Sequence, residues 1–267
     1  MLFIRYFSYK NEVEQVKIGL QLYTVRDETA KDFVGTLEKV AAMGYDGVEF
    51  AGYGGLQPQE LAATLERLNL QAAGSHVSIE QLIDHLDEQI EMNVAIGNRH
   101  VICPGLGESR YNTLPALQET AAHFARAAER LAEHNIKLGY HNHDFEFTTK
   151  LGEETMFDTL FQQLPAEKLF TELDVCWVQY GGYDPLSVIA QYKGRIPLVH
   201  FKDLKRTEEG KPLTVELGLG ELDLMAIAQA SKDAGAEWLI VEQDECQRPS
   251  LASVENSRQW IKSNLGK

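Results

Sequence analysis

Eight short apolar runs alternate with amphipathic segments along nearly the whole chain. Strands that alternate with helices imply parallel pairing through helical crossovers, and eight such units are enough to close a barrel. We therefore predict a single α/β domain, a (β/α)8 TIM barrel, over residues 16–267. Residues 1–15 are interpreted as an N-terminal extension that is either irregular or the product of a misassigned start codon.

The boundaries of the elements follow from the spacing of apolar residues and from the glycines and prolines between the runs. The predicted strands are residues 16–25, 46–50, 71–77, 99–103, 136–141, 169–175, 196–201 and 238–241. The predicted helices are residues 30–43, 58–69, 80–96, 113–134, 153–163, 185–193, 222–234 and 250–264. Residues 203–221 form the longest irregular stretch, and long loops on the active face of a barrel often act as lids.

An open, doubly wound sheet is the rival architecture for alternating strands and helices. Such sheets usually carry a glycine-rich turn after their first strand. Here the first predicted strand runs into YTVRDE at residues 23–28, which contains no glycine. The barrel is therefore preferred, and a length of 267 residues suits it.

Charge and cysteine content restrict the partners of the chain. A formal net charge of −15 leaves no overall basic surface for a nucleic-acid backbone. The cysteines Cys103, Cys176 and Cys246 are odd in number and lack paired spacing, which favours a reducing cytosol. No apolar run reaches the length of a membrane span, about 18 residues. We predict a cytoplasmic protein with a small-molecule partner and no nucleic-acid or membrane partner; a homo-oligomer stays open.

Metal-type side chains stand at the ends of the last four predicted strands. They are His141, Asp174, His200 and Glu242, each separated from the next by roughly one strand-plus-helix unit. In a parallel barrel the carboxyl ends of all strands open on one face, so these four residues should converge. Imidazole and carboxylate ligands together suit Mn, Fe, Co, Ni or Zn. For any one of these acids the alternative is a cap on the following helix.

Further polar side chains face the same predicted mouth. His143 lies two residues after His141, so on a strand both would point the same way, which makes it an alternative ligand or a base. Lys202 could stabilise a developing oxyanion, or it could form a solvated pair with Asp203. Glu49 and His76 could bind sugar hydroxyls, or they could pair structurally.

Aromatic residues also collect near the predicted mouth, and sugar rings often stack on such faces. Trp177 is the best candidate because it follows Asp174 by three residues, and Tyr23 lies at the end of the first predicted strand. Filling the top of the barrel is the alternative role for both rings.

These segments carry a family resemblance. IGLQLYTVRD, GYDGVEFAGYGG, GYHNHDFEF, LDVCWV, VHFKD, LGLGELD and VEQDE resemble the xylose isomerase-like barrel superfamily of sugar phosphate isomerases and epimerases, over about residues 16–265. GYHNHDFEF with VHFKD is similar to an inosose dehydratase-like, keto-sugar-processing branch. The resemblance implies one divalent ion, most often Mn, with Mg, Co, Zn or Fe as alternatives. It implies that Asp174, His200 and Glu242 are ligands of this ion.

The chain departs from the family pattern at two positions. The strand-five ligand in the family is usually a glutamate, whereas His141 stands at the matching position here, and His143 competes with it for that role. The family epimerases use two glutamates on opposite faces of the substrate, and with His141 at this position the chain lacks the first of the two. Trp177 stands where the family often has a histidine.

The predicted activity is isomerisation or epimerisation of a keto-sugar or related polyol through a metal-stabilised enediolate. Glu242 or His143 would remove the proton, and Lys202 would support the oxyanion. A lyase of the same fold shares this intermediate and is the first alternative. A non-catalytic sugar-binding barrel is the second. A nuclease acting at abasic sites is disfavoured by the charge and by the small number of histidine ligands.

Overall fold

The computed structural model describes residues 16–267, so the predicted extension at residues 1–15 lies outside the described residues. Eight parallel strands close into a barrel in which each strand pairs with its neighbours in sequence and the last pairs with the first. This confirms the predicted (β/α)8 architecture. The barrel strands are β1 Lys17–Gln21, β2 Gly47–Phe50, β3 Gln71–His76, β4 His100–Cys103, β5 Lys137–His141, β6 Phe170–Asp174, β7 Leu198–Phe201 and β8 Trp238–Val241.

Helices surround the barrel, and their apolar faces form one core with the outward faces of the strands. The α-helices are Arg26–Thr29, Phe33–Ala42, Pro58–Leu68, Ile79–Asp84, Leu86–Ala95, Leu114–Ala132, Phe145–Thr148, Met156–Gln163, Val175–Tyr180, Pro185–Gln191, Leu224–Ala234 and Ser250–Leu265. Short 3-10 helices cover Leu22–Val25 and Glu108–Arg110. In the part of the chain that the structure covers, none of these helices has the length and apolar character needed to cross a membrane.

A second, smaller apolar cluster fills the inside of the barrel. Because the inward-facing layer also includes glycines, large side chains from neighbouring strands can meet there. A Cβ atom on Gly139 would collide with the ring of Phe170, and one on Gly47 would lie 2.8 Å from the ring of Trp238. The cluster closes the barrel below its carboxyl-terminal mouth.

The first strand is shorter than the predicted 16–25. It ends at Gln21, whose side-chain oxygen accepts a hydrogen bond from the backbone N–H of Tyr23 at 3.0 Å and so starts a 3-10 turn. The helix predicted at 80–96 is divided, because the backbone of His85 leaves helical geometry at φ −133° and ψ 28°. Side-chain capping and local backbone angles therefore override apolar spacing at both places.

The predicted loop 203–221 contains an antiparallel hairpin of strands Asp203–Arg206 and Pro212–Val215. Asp203 holds its base: the carboxylate accepts backbone N–H groups from Leu204, Gly218, Gly220 and Leu222 at 2.8–3.2 Å. The predicted solvated pair of Lys202 and Asp203 is therefore wrong, since both side chains are buried and point to different partners.

The hairpin links two sides of the mouth. The Arg206 guanidinium lies 5.5 Å from the centre of the Tyr180 ring, next to the helix that follows β6. On the other side, the side-chain amide of Gln243, just after β8, donates to the carbonyl of Thr214 at 3.1 Å. These contacts fix the hairpin beside the ends of β6 and β8.

Candidate metal and substrate site

The four predicted ligands converge at the carboxyl-terminal mouth of the barrel. His141 and Asp174 end β5 and β6, His200 lies within β7, and Glu242 directly follows β8. None is more than 6% exposed. One donor atom from each lies within 4.8 Å of the donor atoms of the other three. These four residues are called the outer set below.

Asp174 caps a helix with one carboxylate oxygen and places the other beside the outer set. Its Oδ1 accepts the backbone N–H groups of Cys176 and Trp177 at 2.9 and 3.0 Å, and so caps the helix Val175–Tyr180. Its Oδ2 lies 2.8 Å from the Lys202 ammonium, on the side of the outer set. Helix capping therefore orients the second oxygen instead of competing with a ligand role.

Lys202 places a buried ammonium group between the carboxylates of the outer set. Its Nζ lies 2.8 Å from Asp174 Oδ2, 2.6 Å from Glu242 Oε2 and 3.2 Å from Asp244 Oδ2. Burial alone would lower the pKa of Lys202, but these carboxylates hold it well above its usual value. The group is therefore a fixed positive charge at the mouth.

A second group of side chains lies next to the outer set. Glu49, His76 and Glu172, called the inner layer below, contact the two outer-set imidazoles. His76 Nε2 lies 2.7 Å from Glu172 Oε1. Glu49 is fully enclosed and accepts a hydrogen bond from the side-chain amide of Gln21 at 2.8 Å. Enclosure and pairing place Glu49 in a structural network, which was the alternative to sugar binding.

Glu172 was not singled out from the sequence, yet it touches three histidines. Its Oε1 lies 2.7 Å from His76 Nε2, 3.1 Å from His141 Nδ1 and 3.0 Å from His200 Nε2. A signal was present, because Glu172 precedes Asp174 by two residues on the same strand. Alternation puts such a pair on one face of a strand.

His143 lies beyond the end of β5, so the strand geometry predicted for it beside His141 is wrong. The buried carboxylate of Glu146 accepts hydrogen bonds from the backbone N–H of His143 at 2.8 Å and from the Tyr140 hydroxyl at 2.6 Å. The ring centre of His143 lies 5.0 Å from that of His141. Burial and the nearby Lys202 charge lower the pKa of His143 to about 4, so its imidazole is neutral at neutral pH.

The two predicted stacking residues differ in placement. Trp177 is half-buried, with its ring centre 5.9 Å from that of His143 and 5.7 Å from the Lys202 ammonium. Tyr23 is 45% exposed on the turn after β1, where the Arg26 guanidinium covers its ring at 4.1 Å. Trp177 is thus the closer of the two to the candidate ligands.

Unbalanced negative charge is the main electrostatic feature of the mouth. Burial and the neighbouring Glu172 raise the pKa of Glu49 to about 7, and burial raises that of Asp174 to about 6. His200 shows the opposite response: burial would lower its pKa, but Glu172, Glu242 and Glu49 hold it well above the usual value. The carboxylates of Asp174, Glu242 and Asp244 surround the Lys202 ammonium, whereas those of Glu49 and Glu172 lie against the His200 imidazole.

The donor chemistry fits a divalent cation. Two imidazoles and two carboxylates offer nitrogen and oxygen ligands of the kind bound by Mn, Fe, Co and Zn. Glu49 and Glu172 each have one buried carboxylate oxygen without a hydrogen-bond donor. A cation here would offset charge that Lys202 leaves uncompensated.

Comparison with known proteins is consistent with this geometry. The family model described as the xylose isomerase-like TIM barrel matches residues 37–264. A sugar phosphate isomerase/epimerase from Parabacteroides distasonis ATCC 8503 superposes with a TM-score of 0.79 at 20% identity, covering 97% of this chain and 98% of the other. An L-ribulose 3-epimerase gives 0.73 at 17% identity, covering 94% and 95%. These similarities show the fold.

One curated sequence relative is an inosose dehydratase from Lacticaseibacillus casei. It is 24% identical over 143 residues, which are 48% of this chain and 47% of the relative. The chain thus spans about half the length of the curated relative that it matches.

Proposed function

Because the chain belongs to the xylose isomerase-like TIM barrel family, we propose that it is a divalent-metal-dependent isomerase or epimerase of a keto-sugar or related polyol. The observation that carries the proposal is the outer set: two imidazoles and two carboxylates enclosed at one barrel mouth, beside a buried ammonium and a neutral histidine. Mn is the proposed ion, with Mg, Co, Zn and Fe as alternatives.

His141, Asp174, His200 and Glu242 would hold the ion. When bound, the ion would polarise a substrate carbonyl and acidify the adjacent C–H bond. The strand-five ligand is His141 in this proposal, because its Nε2 lies 3.8 Å from Asp174 Oδ2 whereas His143 has left the strand.

His143 is the preferred general base of the two candidates. Its ring is neutral and its Nδ1 is buried without a hydrogen-bond partner, so it can accept a proton from carbon. Glu242 is less suited to this role, because its Oε2 is already held by Lys202 Nζ at 2.6 Å and lies 2.7 Å from His200 Nδ1.

The proton step leaves an enediolate. The electron pair of the broken C–H bond forms the carbon–carbon double bond, and the carbonyl oxygen gains the negative charge. Lys202 would stabilise this oxygen by charge, and Trp177 would offer the ring on which the sugar stacks. Return of the proton to carbon then gives the isomer or epimer.

Elimination is the second candidate reaction. The same enediolate can expel a β-hydroxyl group, which leaves as water once it is protonated. The inosose dehydratase relative favours this alternative, at 24% identity over half of the chain.

Solvent deuterium exchange would test the proposal. The full chain with Mn in D2O should introduce deuterium next to the carbonyl of at least one keto-sugar in a panel, and a chelator should abolish the exchange. An unsaturated product that absorbs ultraviolet light would assign the elimination instead. His143→Asn should lose the exchange, whereas His85→Asn, on an exposed helix junction, is the matched control.

Two results would contradict the proposal. Exchange that survives complete chelation would remove the metal from the reaction. Tight binding of Mn and of a sugar with no exchange in any member of the panel would indicate a non-catalytic sugar-binding barrel.

A further inference from the structure

Each outer-set imidazole has one nitrogen near a carboxylate of the outer set and the other nitrogen near a carboxylate of the inner layer. His200 Nδ1 lies 2.7 Å from Glu242 Oε2, whereas its Nε2 lies 2.6 Å from Glu49 Oε2. His141 Nε2 lies 3.8 Å from Asp174 Oδ2, whereas its Nδ1 lies 3.1 Å from Glu172 Oε1. Each ring therefore stands between an outer carboxylate and an inner one.

A neutral imidazole that binds a metal through one nitrogen carries its proton on the other. If His200 binds through Nδ1 and His141 through Nε2, their N–H groups face Glu49 and Glu172. When ionised, those carboxylates can only accept hydrogen bonds, so they favour the tautomers that leave the outer nitrogens free for the ion.

We propose that Glu49 and Glu172 are positioning residues, which select the metal-binding tautomers of His200 and His141. This inference rests on the metal-binding part of the proposed function and on no particular substrate. The Glu49 contact is the better aligned of the two. Glu172 is shared among three histidines, and its contact with His141 lacks the direction of a straight hydrogen bond.

Gln21 supports Glu49 from the other side. Its amide donates to the same oxygen, Oε2, that lies 2.6 Å from His200 Nε2, so the carboxylate is held on two sides. Both Glu49 and Gln21 are fully buried. A carboxylate held in this way keeps its acceptor oxygen fixed relative to the His200 ring.

Two inner-layer residues, His76 and Glu172, form a second candidate ligand set with His141 and His200, because donor atoms of these four residues lie within 4.8 Å of one another. Both groups use the same two imidazoles, so each imidazole would need to bind two ions at once if both sites were filled. The Lys202 ammonium already lies beside two carboxylates of the outer set. Binding of the ion by the second set is therefore the competing arrangement to be tested.

Mn titration of the metal-free full chain would test the inference. Glu49→Gln and Glu172→Gln should each weaken Mn binding about 10–100-fold, in the range seen when such supporting groups are removed. Glu237→Gln is the matched control, because it makes the same change of charge just before β8, at the opposite end of the barrel, and should leave the affinity within about twofold.

Histidine nitrogen NMR on the wild-type chain gives a readout that needs no variant. With diamagnetic Zn bound, His200 should carry its proton on Nε2 and His141 on Nδ1, and Glu49→Gln should change the His200 pattern. The opposite tautomers in the wild type, or unchanged Mn affinity in both variants, would overturn the inference. Anomalous diffraction that places Mn on Glu172 would overturn it as well, by making that residue a ligand. If the wild type binds no Mn, the proposed function fails first.

Discussion

Removal of the Lys202 ammonium should destabilise the metal-free protein far more than the metal-loaded one. Its Nζ lies within 3.2 Å of three carboxylates, and two of these, on Asp174 and Glu242, are buried. Breaking a buried ion pair by removing one partner costs about 3–5 kcal/mol, because the remaining charge is left uncompensated. In a domain of this size 1 kcal/mol shifts Tm by about 2–4 °C. Lys202→Met should therefore lower Tm by about 6–20 °C without metal.

Saturating Mn should restore most of that loss, since the ion would compensate the same carboxylates. Thermal unfolding followed by circular dichroism, with and without a chelator, measures both values. Lys205→Met, on the exposed part of the hairpin, is the matched control and should leave Tm nearly unchanged. A metal-free Lys202→Met protein that melts within about 2 °C of the wild type would refute the reasoning.

Four further substitutions test other parts of the site. His200→Ala and Asp174→Asn should abolish measurable Mn binding in calorimetry, and near-wild-type affinity in both would remove the outer set as the metal site. The folded-state pKa of His143 lies near 4, below its ordinary value of 6.5, so its contribution to stability is full above about pH 6.5 and is lost as the pH falls towards 4. His143→Gln should therefore lose less stability than the wild type between pH 6.5 and 4.5, as measured by urea unfolding, and equal losses would contradict that assignment. Gly74→Ala should displace the Glu49 carboxylate, which its Cβ would contact, and should cost about 1–3 kcal/mol in urea unfolding together with weaker Mn binding; unchanged values for both would contradict the close packing.

The order of the barrel strands could be predicted from the sequence because each strand is a short apolar run with its own helix. The carboxyl ends of parallel strands share one face, which is why the sequence alone groups His141, Asp174, His200 and Glu242. This part of the prediction depends on topology alone.

The inner layer could not be grouped in the same way. The sequence places Glu49 and His76 at the mouth, but their contacts with the imidazoles depend on side-chain rotamers and on how far each strand extends. The two-residue spacing of Glu172 and Asp174 indicates a shared strand face, but it does not indicate that Glu172 contacts three histidines. The end of β1 at Gln21 and the position of His143 depend on side-chain-to-backbone hydrogen bonds, which apolar periodicity does not report.

Asp203 anchors the base of the hairpin, so a structural change at the hairpin tip should not move the mouth of the barrel. Residues 207–211 are exposed, and four backbone N–H groups bound to one carboxylate fix the chain where it leaves and re-enters the barrel. The tip is therefore a natural grafting position. A tag, a fluorophore or a longer peptide inserted there would report on the state of the protein without disturbing its chemistry.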